Sequence, residues 1–80
     1  MKRREKAIIA DLGVAMQFKL MRHRNKGSWE HKSVDTLLVE LKREVVELED
    51  AVEAGNDTEH IISEAADVAN YLAFLIEKVK

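Results

Sequence analysis

Cysteine and proline are absent from these 80 residues, glycine occurs three times, and aromatic side chains are only 5% of the chain. Without cysteine there is neither a disulfide nor a thiolate metal site. A single domain spanning 1–80 buries a modest share of its surface, so the staples left to it are oligomerisation and a hard-metal site. No apolar run reaches the length of a membrane span. The charged start, Met1–Lys6, leads into no signal-peptide apolar region. Together with the missing cysteines, this gives the expectation of a cytoplasmic protein with no membrane partner.

The formal net charge of −2 conceals a division. Residues 1–32 hold nine Lys/Arg against three Asp/Glu, whereas 33–80 hold four against twelve. A basic segment beside an acidic one suits self-pairing or a shared ligand, and a polyphosphate–metal complex is such a ligand. Nucleic acid could be held through MKRREK and the Arg22–Lys26 cluster. The sequence pI near 5.9 and the lack of a reading motif argue against it.

With proline absent, glycine punctuates the chain, and Gly27 and Gly55 fall where helical patterns break. Three helices are predicted. The first runs from about Lys2 to Arg24, with Ile9, Leu12, Met16 and Leu20 as its apolar stripe. Gly13 lies inside that pattern and offers a close approach to a neighbour. The second spans about Val34–Ala54 behind a Ser33 N-cap, with a heptad seam of Leu38, Leu41, Val45, Leu48 and Val52. Gly55 supplies the left-handed residue that ends it. The third spans about Asp57–Val79, capped by Asn56 with Glu59 as capping-box partner. Its seam is Ile61, Ala65, Val68, Leu72, Leu75 and Val79. The short turn at Gly55 implies that helices two and three lie antiparallel, seam against seam. Helix three is apolar beyond its seam and needs cover on more than one side. The expected fold is therefore an all-α antiparallel bundle of three helices, completed as a homodimer or a dimer of dimers.

Two acid pairs carry the chemistry. Glu44 and Glu47 are three apart on helix two, Glu64 and Asp67 three apart on helix three, and residues so spaced share a helix face. Each pair flanks its own seam, so meeting seams would bring four carboxylates to one rim. Converging carboxylates repel and lose hydration unless a cation joins them. All-oxygen ligation favours Mg²⁺, Mn²⁺ or Ca²⁺. A ferritin-like di-iron bundle would need Glu-x-x-His pairs, which are missing here. Glu64 and Asp67, set among Ala65, Ala66, Val68 and Ala69, are the harder pair to dismiss as solvated surface.

EVVE at 44–47 followed by EAAD at 64–67 resembles the ExxE…ExxD signature of the MazG-like all-α nucleoside triphosphate pyrophosphohydrolases. The likeness covers about residues 18–78 and includes the KGSW loop at 26–29 and EAADVANYL at 64–72. It departs from the family pattern at Arg43, where many relatives carry a further acid beside Glu44. The resemblance implies Mg²⁺ bound by Glu44, Glu47, Glu64 and Asp67, with Mn²⁺ as a substitute, and cleavage of a (deoxy)nucleoside triphosphate between its α- and β-phosphates. The biological setting it implies is nucleotide-pool sanitation or phage-type nucleotide metabolism. Either Glu44 or Glu47 would be the catalytic group that positions or deprotonates water. Asn70 would contact the nucleotide or a ligating carboxylate.

Other residues have two readings each. Lys19, Arg22, Arg24 and Lys26 are candidates to hold the β,γ-phosphates, or form a solvated basic helix end. Trp29 could stack on base or ribose, or plug a core or interface. His60, four before Glu64, could support that carboxylate or lie on the surface, while Phe18, Tyr71 and Phe74 are assigned to packing, with Phe18 also a candidate for a base pocket. The competing function is a non-catalytic helical interaction module, for which the same seams would serve.

Overall fold

The computed structural model of the chain describes residues 1–22 and 29–80. Among them it is all-helical: α1 (Arg3–Arg22), a short 3-10 turn at Trp29–His31, α2 (Val34–Glu53) and α3 (Thr58–Val79). The expected end of the first helix at residues 23 and 24 lies outside the described residues. No described helix is long and apolar enough to cross a membrane.

Local chemistry explains the helix ends. At the start of α1 the Lys2 carbonyl receives Lys6 N–H at 3.1 Å, while Glu5 reaches back to accept from Lys2 N–H at 2.9 Å. Ser33 caps α2, its hydroxyl accepting from Thr36 N–H at 3.1 Å. At the far end of α2, Gly55 has φ 68° and donates to Val52 O, and Asn56 donates to Ala51 O, both at 3.1 Å. This double closure is a Schellman motif. It uses Asn56 to finish α2, so the expected Asn56 cap of α3 is displaced by one residue. Asp57 is the cap, its carboxylate accepting from His60 N–H at 2.8 Å.

The middle element is α3, which packs against both α2 and α1. The core is small: among the described residues Leu37 (0% exposed), Ala51 and Ala66 are the buried apolar ones, and Leu37 is the only large side chain of these fully enclosed. The face of α2 turned to α3 consists of Leu37, Leu41, Glu44, Leu48 and Ala51: Leu41 and Leu48 belong to the expected seam, while Leu37, Glu44 and Ala51 take the places of Leu38, Val45 and Val52. Leu38, Val45 and Val52 of that seam remain 39, 44 and 55% exposed. Helical periodicity sets the width of an apolar stripe, not which half of it a single neighbour covers. One residue of rotation is about 100°, enough to put Glu44 in the middle of the inner face. On α3, likewise, Leu72 and Val79 are exposed while Ile61, Ala65, Val68 and Leu75 are partly covered.

α1 differs from its expected stripe as well. It has no buried residue; Ile9, Leu12 and Leu20 are exposed, and its better-covered positions are Gly13, Ala15, Met16 and Lys19. A Cβ at Gly13 would meet nothing within 4 Å, so the close approach expected there is not made. Polar bonds tie this helix to α3. Asn70 donates from Nδ2 to Met16 O at 3.1 Å, and Lys19 Nζ donates to Ser63 Oγ at 2.8 Å. The 3-10 turn is fastened by Trp29 against Phe74, by Lys78 Nζ donating to Glu30 O, and by the Lys32–Glu40 ion pair at 2.8 Å.

Candidate metal centre

The rotation of α2 delivers Glu44 into the α2–α3 groove, where α3 supplies Glu64. Glu47, one turn beyond Glu44, reaches the same place. Each of the three offers a carboxylate oxygen, and these oxygens lie within 4.8 Å of one another. Glu44 and Glu64 are partly buried and Glu47 is exposed. Oε2 of Glu44 and Oε2 of Glu64 are both buried and have no hydrogen-bond partner. Orphaned buried acceptors are rare because each forfeits its hydration. Two such oxygens on carboxylates that also repel each other form a set that a divalent cation would satisfy.

The electrostatics follow from the same arrangement. Burial pushes Glu44 up to about 7, helped by Glu47, with which it can share the proton, and by the charges of Glu47, Asp67 and Glu64. Burial also raises Glu64, followed by repulsion from Asp67 and Glu47; Lys19 and His60 oppose the shift. His60 is exposed on the surface, with Nε2 3.6 Å from Glu64 Oε1 across one helical turn.

Of the four predicted acids, three converge and the fourth is engaged elsewhere. Asp67 Oδ2 is 3.2 Å from Lys19 Nζ, and both side chains are largely covered. Lys19, one of the candidate phosphate holders, is therefore the partner of Asp67 and Ser63. Sequence reasoning missed this contact, since nothing in local spacing links α1 to α3. Asn70 is next to the site on α3 and 4% exposed; its Nδ2 is used by Met16 O while its Oδ1 is buried without a partner.

The remaining candidates are distributed around this core. Arg22 is exposed at the end of α1, its guanidinium 5.9 Å from the Phe18 ring centroid. Trp29 stacks on Phe74 with centroids 5.1 Å apart and planes 2° from parallel, and Tyr71 meets Phe74 edge-on at 5.8 Å. Arg24 and Lys26 lie outside the described residues. Tyr71, assigned to packing, also has a polar role beside Glu40. Burial and that neighbouring carboxylate hold its hydroxyl up to about 12, and Lys32 keeps Glu40 below the usual carboxylate range.

Comparison with protein-family models, with curated proteins and with solved structures finds no match.

Proposed function

We propose that this chain is a Mg²⁺-dependent nucleoside triphosphate pyrophosphohydrolase that works as a homo-oligomer. The observation that carries the proposal is the convergence of Glu44, Glu47 and Glu64 with two buried oxygens left unsatisfied. These three residues would hold Mg²⁺, with Mn²⁺ as a substitute. Asp67, whose charge already acts on Glu44 and Glu64, would join them if released from Lys19. The bound cation would neutralise charge developing on the phosphoryl oxygens. Glu44 and Glu47 are the groups available to orient the attacking water and take its proton. Glu47 is the solvent-facing member; Glu44, near neutral in its proton affinity, is the inner one.

Phosphate would be met by Arg22 at the end of α1 and by Lys26, which follows it in the sequence, and Asn70 would offer its unpartnered Oδ1 to the nucleotide or to a carboxylate network. Trp29 would have only the ring face away from Phe74 for a base. The test is a panel of standard and modified (d)NTPs with Mg²⁺, scoring monophosphate and pyrophosphate together. Release of both from at least one substrate, lost in Glu64→Gln, is the expected result. No pyrophosphate from any substrate, with no thermal stabilisation by Mg²⁺ or Mn²⁺, would leave the non-catalytic interaction module as the better reading.

A further inference from the structure

Lys19 is the one basic residue of α1 that is not exposed, its side chain being 14% accessible. Its ammonium stands between two residues one turn apart on α3, 2.8 Å from Ser63 Oγ and 3.2 Å from Asp67 Oδ2. Glu64 lies between them in the sequence, and the Lys19 charge acts on it as well. A cation belonging to the chain therefore stands at the edge of the carboxylate set. Polar bonds fix its position, because α1 has no buried residue and Asn70 holds the Met16 carbonyl one turn earlier. The two partners of the ammonium differ in kind. Asp67 neutralises it, whereas the Ser63 hydroxyl binds it without charge.

We infer that Lys19 is an exchangeable counter-ion: its ammonium pairs with Asp67 in the free protein and with a phosphate oxygen once a divalent cation holds Asp67, and Ser63 keeps it in place through the exchange. The inference rests on the cation-binding reading of Glu44, Glu47 and Glu64 proposed above. It makes the ligand of the site a divalent cation and a polyphosphate taken together. A cation alone, once shared with Asp67, leaves a covered ammonium beside a like charge with no anion to balance it. A polyphosphate alone meets the carboxylates directly and finds the ammonium already paired. The two ligands together give every charge an opposite neighbour, so each raises the affinity for the other.

The experiment is calorimetric titration of the full chain with Mg²⁺ alone, with inorganic pyrophosphate in EDTA, and with pyrophosphate in excess Mg²⁺. Wild type should bind pyrophosphate about tenfold or more tightly with Mg²⁺ than in EDTA. Lys19→Met should bind Mg²⁺ alone more tightly, and the Mg²⁺–pyrophosphate pair about tenfold more weakly for want of one charge-assisted bond. Asp67→Asn releases Lys19 and should bind pyrophosphate in EDTA about tenfold more tightly than wild type does. Glu47→Gln removes an equal charge without touching Lys19 and should gain less. The double variant Lys19→Met with Asp67→Asn strands no charge, so it tests the assignment even where Lys19→Met folds poorly. It should lose the whole gain of Asp67→Asn. Pyrophosphate binding in Mg²⁺ that Lys19→Met leaves unchanged would overturn the inference. So would equal gains in Asp67→Asn and Glu47→Gln, or a double variant that keeps the gain. Each of these results leaves Mg²⁺ binding, and with it the catalytic reading, standing. Failure of the wild type and of every variant to bind Mg²⁺ would instead remove that reading and this inference together.

Discussion

The two flanks of the α2–α3 hairpin are incomplete in opposite ways. On the α1 side, buried carboxylate oxygens have no donor; on the other, aliphatic side chains have no cover. Electrostatics governs the first and area the second, so what would satisfy one flank would not satisfy the other. The contrast shows how a short chain divides its needs. Glu44 occupies a position in the inner face of α2 that an aliphatic residue would have filled, and part of the aliphatic stripe is thereby turned outward.

Leu37 bridges these two demands as the fully enclosed member of the inner face, and its loss should have the largest effect on stability. Leu37→Ala is expected to destabilise the fold by about 2–5 kcal/mol, measured by denaturant or thermal unfolding at fixed protein and Mg²⁺ concentration. A loss well under 1 kcal/mol would mean that the inner face is not the core and that the division drawn above is misplaced.

Next in size is Glu44→Gln, which acts on the electrostatic flank alone. Under the proposed chemistry it should lower turnover by about 100-fold or more. It should also raise the melting temperature in EDTA at pH 8. The sign follows from the raised proton affinity of the folded state. Stability from protonated Glu44 is fully present below its ordinary 4.5 and is lost as pH climbs through about 7. Metal-free wild type should therefore lose stability across that window, Mg²⁺ should restore it at the alkaline end, and Glu44→Gln should show a flatter profile. Equal pH profiles for the two proteins would show that the cluster is not repulsive.

Much of this organisation is legible in the sequence, and the part that is not has a common cause. The three helices, the Ser33 cap, the Gly55 stop and the i,i+3 acid pairs all depend on neighbours within a turn or two, where spacing alone decides geometry. The rotation of α2, the Lys19–Asp67 contact and the Trp29–Phe74 stack depend on how elements meet, which spacing does not encode. Leu41 and Leu48 of the predicted seam face α3, but counting apolar residues favours Leu38, Val45 and Val52 over their neighbours. The folded chain instead encloses Leu37 and Ala51 and partly covers Glu44. Spacing places the acids at the rim of the seam, whereas the register of α2 puts Glu44 on the inner face itself, beside Glu64.

Lys19 offers a finer probe of the electrostatic flank. Lys19→Met should cost about 1–2 kcal/mol by stranding the partly buried Asp67. The freed carboxylate should at the same time bind Mg²⁺ more tightly, read by calorimetric titration. Weaker Mg²⁺ binding in Lys19→Met would instead show that Lys19 orders the acids rather than competing for one of them.

The smallest effect should come from the turn that joins the flanks. Gly55 adopts φ 68°, and a Cβ there would meet nothing within 4 Å, so the penalty of Gly55→Ala comes from the backbone conformation alone. That conformation costs an L-residue about 1–2 kcal/mol, partly offset because alanine restricts the unfolded chain. A net loss of about 1 kcal/mol in unfolding is expected. Both helices meet at this turn, so the substitution also asks whether the two flanks communicate through it. If they are mechanically separate, the Mg²⁺ titration and the subunit dissociation constant of Gly55→Ala should each match the wild type despite the lower stability. A variant in which both shift together would mean that the hairpin angle sets the carboxylate spacing and the subunit contact at once. Cation binding and subunit pairing would then be coupled through a single hinge rather than independent of each other.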